Sequence, residues 1–323
     1  MPASRLTIPY ERGLHDLGDG VFAFLQPHGG WGWNNAGLVV GEGASLVVDT
    51  LFDLQLTREM LDAMEPWTTA HPIRLAVNTH GDPDHCFGNE LLPPDTEIWA
   101  STSARDAMVR ATPEEVRDMF GSRELGEAFA RFSRSRFGVF DLDGIRPRTA
   151  TNTFDGHAEL RVGGRAVELD ELGPGHAAGD AIVHVPDTNV VFGGDLVFAH
   201  DTPLIWSGPI SSWLHALDRI LALRPRLIVP GHGPVTDEEG VRDLAHYLQW
   251  LSDEATARFE LGMDPDEAAE DIDLSPFADW AEQERIVVNV YNAYRELDPS
   301  LPELSTPEQF RRMAEWAARH GRV

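Results

Sequence analysis

The stretch Thr79-His80-Gly81-Asp82-Pro83-Asp84-His85 constrains this chain more than any other. It follows directly on Ile73 to Asn78, an apolar run that reads as a buried strand. Four potential metal ligands then fall on one short loop that Gly81 lets bend and Pro83 stiffens. The side chains at 80 and 82 can converge on one point, and those at 84 and 85 can turn toward a second. Three further candidates each lie among glycines next to a strand-like run: His176 in Gly173-Pro174-Gly175-His176, Asp195 in Phe192-Gly193-Gly194-Asp195, and His232 in Pro230-Gly231-His232-Gly233. Loops at the mouth of a sheet, bent inward at glycine, bring such residues together.

The rest of the chain reads as a frame for those loops. Val21 to Leu25, Gly37 to Val40 and Ser45 to Asp49 are short strands separated by Gly-rich turns, and a helix follows around Leu54 to Met64. Thr96 to Ala100 is a further strand. Residues 102–140 change character: Thr102 and Pro113 start helices, and Phe120, Phe129, Phe132, Phe137 and Phe140 are too many aromatics for a solvated loop. We read this stretch as a helical insertion whose apolar face covers something. Strands resume with Ala158 to Val162 and Arg165 to Leu169, joined by the hairpin turn Gly163-Gly164. Ala181 to Val185 pairs with Val190 to Phe192, and helix Ser211 to Leu223 leads into strand Leu227 to Val229. Residues 1–235 thus form a layered α/β unit. Residues 236–323 read as a helical C-terminal extension. It opens with the capping box Thr236-Asp237-Glu238-Glu239, and Asp264-Pro265 and Thr306-Pro307 start later helices.

Charge narrows the function. The chain has 26 basic residues, all of them Arg, against 53 acidic ones, for a net charge of −27. A field of that sign repels nucleic acid and anionic membrane surfaces and favours cations. The apolar runs are too short to span a bilayer, and Met1 to Leu17 has no apolar leader-like segment, so a cytoplasmic protein is expected. The single cysteine, Cys86, excludes an intrachain disulfide and reads as a packed thiol.

Taken in order, Val47-Val48-Asp49-Thr50, the loop at 80–85, His176, Asp195 and His232 resemble the metallo-β-lactamase-fold superfamily of metallohydrolases. The resemblance runs over residues 15–235 and implies a four-layer αββα sandwich with two metal ions at its mouth. By position it assigns His80, Asp82 and His176 to the first metal and Asp84, His85 and His232 to the second, with Asp195 bridging. Asp49 and Thr79 would orient the ligands from behind. One position departs from the family loop, which carries histidine where this chain has Asp82. Carboxylate oxygen is harder than imidazole nitrogen and shifts preference from zinc toward iron or manganese, so the two divalent ions are zinc, iron or manganese.

The expected chemistry is hydrolysis of an ester, thioester, lactone or similar bond by a metal-bound hydroxide, with Asp84, His85 and Asp195 as the catalytic set. The substrate is a partly apolar small molecule. Trp31, Trp33, Phe87 and Trp206, joined by Trp213, are candidates for an apolar wall, and Asn35 and His200 for polar contacts. His28 and Asn34 are further polar candidates. Two other readings remain open: a di-iron enzyme that activates dioxygen, motivated by Asp82, and a catalytically weak binding protein on the same scaffold. The insertion and the tail would shape the pocket and offer a homodimer contact.

Overall fold

Alternating side chains sort the strands into layers. In the computed structural model, which describes residues 8–27 and 30–322, Val21, Ala23 and Leu25 of one strand face a core between two sheets. Phe22 and Phe24, in between, face a core of helices. The first sheet has seven strands in sequential order, β1 (Gly13–Gly18), β2 (Val21–Leu25), β3 (Ala36–Gly41), β4 (Ala44–Val48), β5 (Ile73–Val77), β6 (Glu97–Ser101) and β7 (Asn152–Phe154). Strands β1 to β4 are antiparallel, and β4 to β7 run parallel. The second sheet holds β8 (His157–Val162), β9 (Arg165–Glu171), β10 (Ala181–Val185), β11 (Val190–Phe198) and β12 (Leu227–His232), stacked from β12 inward to β8 at the far edge. Only its β11–β12 pair is parallel.

Helices cover both outer faces, giving the four-layer α/β sandwich with a helical extension. On the first sheet lie α1 (Leu54–Thr68), α3 (Thr102–Arg110), α4 (Pro113–Phe120) and α5 (Gly126–Arg136), while α2 (Pro83–Cys86) is a single turn inside the ligand loop. On the second lie α6 (Ile210–Ala222), α7 (Glu238–Glu260), α8 (Pro265–Asp271) and α9 (Ile286–Leu297). The last helix, α10 (Thr306–Arg319), packs against α5 of the insertion. Its Phe310, Met313 and Ala314 join the first outer core, whereas Trp316 joins the second. The tail shares its core with both sheets' helices, so 236–322 is packed into the body. No helix among the described residues is long and apolar enough to cross a membrane.

Several boundaries differ from the sequence reading. Strands β1 and β7 were not anticipated. Strand β11 continues past Phe192 to Phe198: Gly194 takes a positive φ, and bulges on either side of it shift the register so that the strand still pairs with β12. Asp195 therefore sits within a strand, and His232 closes β12. Asp264 caps α8 as expected, whereas three other caps lie one residue away from those expected: Ser101 accepts from Ala104 N, Asp237 accepts from Glu239 N, and α10 begins after Ser305. His28 and Gly29 lie outside the described residues.

Candidate metal centre

Each candidate ligand owes its position to a strand end or a helical turn. After β5 the chain runs through His80 and Asp82, and Pro83 then starts α2, which carries Asp84 and His85 on one turn. His176 is delivered by the loop between β9 and β10, where Asp180 Oδ2 accepts from Gly175 N at 3.1 Å and Ala177 N at 2.9 Å. Asp195 rises from β11 and His232 from the end of β12. A side chain at Gly231 would overlap Asp195 Oδ1, so glycine there is a condition of the carboxylate's placement.

These residues converge. His176 Nε2 lies 3.1 Å from Asp82 Oδ2, and His80 Nε2 lies 3.8 Å from the same oxygen. His232 Nε2 lies 3.5 Å from Asp84 Oδ2. Asp195 stands between the two groups, with Oδ1 3.1 Å from His85 Nε2 and Oδ2 3.4 Å and 3.3 Å from the Nε2 atoms of His176 and His232. Three sets of donors, His80–Asp82–His176, Asp84–His85–His232 and His80–His85–Asp195, each lie within 4.8 Å of one another.

The surroundings decide which ring nitrogen faces inward. Asp49, held at a positive φ, accepts from Thr79 N at 2.7 Å, Thr79 Oγ1 at 2.8 Å and His85 Nδ1 at 2.9 Å. Since the Thr79 hydroxyl hydrogen goes to Asp49, its oxygen is left to accept from His80 Nδ1 at 3.1 Å. His176 Nδ1 donates to the Leu204 carbonyl at 2.7 Å. In all three rings Nδ1 is turned outward to a partner, so Nε2 is the nitrogen that faces the cluster. The Nε2 atoms of His80 and His85 are buried with no hydrogen-bond partner. Leaving such atoms unmatched costs about 1–3 kcal/mol each, so the arrangement fits a cation that accepts both lone pairs.

Electrostatics point the same way. Burial and the adjacent His85 push His80 down to about 3, so this ring stays neutral. Burial also opposes charge on His176, yet Asp195 and Asp82 outweigh it and raise that ring to about 9. The carboxylates draw positive charge, while rings as close as His80 and His85, with centroids 4.2 Å apart, cannot all be protonated. Imidazole nitrogen with carboxylate oxygen suits a divalent metal ion.

The cluster forms the floor of a cavity of about 660 Å³. Of the sequence candidates, Trp31 and Trp206 line it, and Trp206 Nε1 also donates to Asp82 Oδ2 at 3.1 Å. The others fall elsewhere. Phe87 is buried behind Phe52, 6.1 Å from its ring. Trp33 packs on Phe140 at 4.9 Å, and Trp213 is fully buried with Nε1 donating to Leu196 O at 2.9 Å. Asn35 Nδ2 donates to the carbonyls of Pro230 and Gly233, so it shapes the His232 loop from behind. Asn34 bonds to Thr50 O, and His200 is exposed away from the cavity. Sequence reasoning missed Phe198, Leu204, Arg110, Arg285 and Phe310, all of which line the cavity. Only the phenylalanine density of the insertion signalled part of this wall, through Phe120 and Phe137. Cys86 is buried, with Sγ donating to Asp82 O at 3.2 Å.

Comparison with known proteins agrees with this geometry. A hydroxyacylglutathione hydrolase of Brucella ovis is 33% identical over 96 residues, covering 30% of this chain and 31% of that protein. The Brucella abortus hydroxyacylglutathione hydrolase matches to the same extent, so the chain spans about a third of the length of these curated relatives. Among solved structures, the inverting sec-alkylsulfatase Pisa1 from Pseudomonas sp. aligns over 90% of this chain and 51% of its own, with a TM-score of 0.65 and 16% identity. A metallo-beta-lactamase from Pontibacter korlensis aligns over 74% and 99%, with a TM-score of 0.55 and 18% identity. The profile of one family, that of the metallo-beta-lactamases, matches residues 29–232, from the loop before β3 to the last ligand candidate, and the chain belongs to the metallo-beta-lactamase superfamily.

Proposed function

We propose that this chain is a metal-dependent hydrolase that cleaves an ester, thioester, lactone or similar bond in a partly apolar small molecule. One observation carries the reading: two three-ligand groups flank Asp195 at the floor of a cavity whose wall is mostly apolar. His80, Asp82 and His176 would hold one divalent ion and Asp84, His85 and His232 the other. Bound there, the ions supply a nucleophile from water near neutral pH and polarise the bond to be cut. The protein's own part is positional. Asp49 and Thr79 set the tautomers of His85 and His80, Leu204 O sets that of His176, and Trp206 holds Asp82. Asp84, partly exposed at the floor, offers its carboxylate to take up or hand on a proton. Trp31 and Trp206 exclude water beside the cluster and pack the apolar body of the substrate.

The test is metal analysis of protein purified without chelators, followed by anaerobic assay against esters, thioesters and lactones. About two ions per chain with oxygen-independent hydrolysis is the expected result. Asp82 favours one second reading, a di-iron centre that activates dioxygen. Visible absorption with two irons and reductant-dependent oxygen uptake would establish it instead. A chain that binds ions and cleaves nothing would leave the scaffold reading.

A further inference from the structure

Charge around the cavity is uneven. The floor is acidic, with Asp82, Asp84 and Asp195. Above it the wall turns apolar, through Met119, Phe120, Phe137, Leu204 and Phe310. Phe120 stacks on Phe137 with centroids 3.9 Å apart, and Phe310 stands 5.8 Å from Phe137 and 5.7 Å from Trp206. Insertion and tail thus meet edge to face and give the cavity one continuous aromatic side.

Three other charged residues line the cavity: Arg285, Glu303 and Arg110. The first two are committed. Arg285 donates through NH1 to Thr202 O at 2.6 Å and Asp201 Oδ2 at 3.2 Å, and its guanidinium lies 4.4 Å from the Trp31 ring centroid. Glu303 faces Arg295 at 3.9 Å. Arg110 differs: it is exposed, it closes α3, and it has no ion-pair partner among the described residues. Its place relative to the floor is set. A side-chain carbon at Gly81 would come within 2.6 Å of Ala107 Cβ, so α3 lies directly on the ligand loop. Arg110 follows three residues on, about 4.5 Å further along the helix axis.

We propose that Arg110 determines substrate specificity by pairing with an anionic group that an acyl or alkyl substrate carries away from the bond to be cut. The apolar body lies along the aromatic side, and the end to be cut sits at the floor. This rests on the hydrolase reading for what happens at the floor, but the binding mode stands apart from it. A cationic end would be repelled by Arg110, and a second anion has no other uncommitted cationic side chain in the lining to meet. The apolar body supplies most of the affinity through burial, and Arg110 selects the charged group.

The test uses two uncleavable probes of equal length, a ten-carbon ω-keto carboxylic acid and its uncharged primary amide. Binding to the full-length, metal-loaded chain is read by tryptophan fluorescence, since Trp31 and Trp206 line the cavity. The acid should bind about fivefold tighter than the amide, the size expected of a solvent-exposed ion pair, and the gap should shrink with salt. Arg110→Gln should abolish the gap and leave the amide's affinity unchanged. Phe310→Ala should weaken both probes equally. Equal binding of the two probes to the wild type overturns the proposal. So does a preference that survives Arg110→Gln, since the charge would then be held at the floor. Ester cleavage is scored separately: probe selectivity without cleavage supports the Arg110 assignment and overturns the hydrolase reading.

Discussion

Two buried clusters of charge lie on either side of Phe198, and each contains three carboxylates. In the first, Asp82, Asp84 and Asp195 meet four imidazoles and no arginine. In the second, Asp201, Glu282 and Glu284 meet Arg285 and Arg136. There each acid has a donor from the chain: Arg285 for Asp201, Gly30 N for Glu282 and Trp31 Nε1 for Glu284. The difference is chemical. Guanidinium groups stay charged when buried and pair with the acids of the second cluster. Imidazoles this close together cannot all be charged, so the first cluster keeps open lone pairs and an unmet demand for positive charge. A buried acid cluster reads as a structural lock when arginine completes it, and as an ion site when only histidine does.

The comparison breaks most sharply at Asp195. Asp195→Ala should remove bound metal, measured as ions per chain, and lower hydrolysis by at least about 100-fold, beyond the usual effect of an outer partner. Retained metal and activity would mean that Asp195 does not join the two groups. In the second cluster, Arg285→Met should cost about 3–5 kcal/mol in urea denaturation, because it strands buried carboxylates. Metal content should stay at the wild-type level. If metal is lost along with stability, the clusters are not independent.

Smaller changes sharpen the picture. Trp206→Phe keeps the cavity wall but removes the donor to Asp82 Oδ2, and should weaken metal affinity about tenfold at one of the two sites. Isothermal titration that shows two unchanged sites would reduce Trp206 to packing. The gentlest test is Glu282, which burial and Glu284 raise to about 8 from the ordinary 4.5. Between those values the folded state holds a proton that the unfolded state has released, so stability falls as pH rises. Tm should drop less from about pH 5 to about pH 8 in Glu282→Gln than in the wild type. An equal drop in both would take Glu282 out of the pH dependence.

The two clusters also differ in how far they could be read from residues alone. The ligand candidates were legible because glycine and proline surround them and because His80, Asp82, Asp84 and His85 crowd one loop. The second cluster carried no such mark: Glu282, Glu284 and Arg285 look like one more charged segment in an acidic chain. Strand β1 escaped notice although Asp19-Gly20, both at positive φ, form the two-residue turn that joins it to β2. Strand β7 is only three residues long and has no periodicity to read.

Local chemistry in the sequence determined the α/β layering, the hairpin at Gly163-Gly164, the helical insertion and the identity of the candidate ligands. Each of these depends on neighbours within a few residues, where backbone preference and side-chain alternation act directly. Tertiary packing alone decided which aromatics face the cavity. Phe310 and Trp206 are 104 residues apart and meet only because α10 docks on α5, while Trp33, two residues from Trp31, turns to Phe140 instead. A wall built from distant segments has no sequence period, because its partners are chosen by burial across layers and not by spacing along the chain.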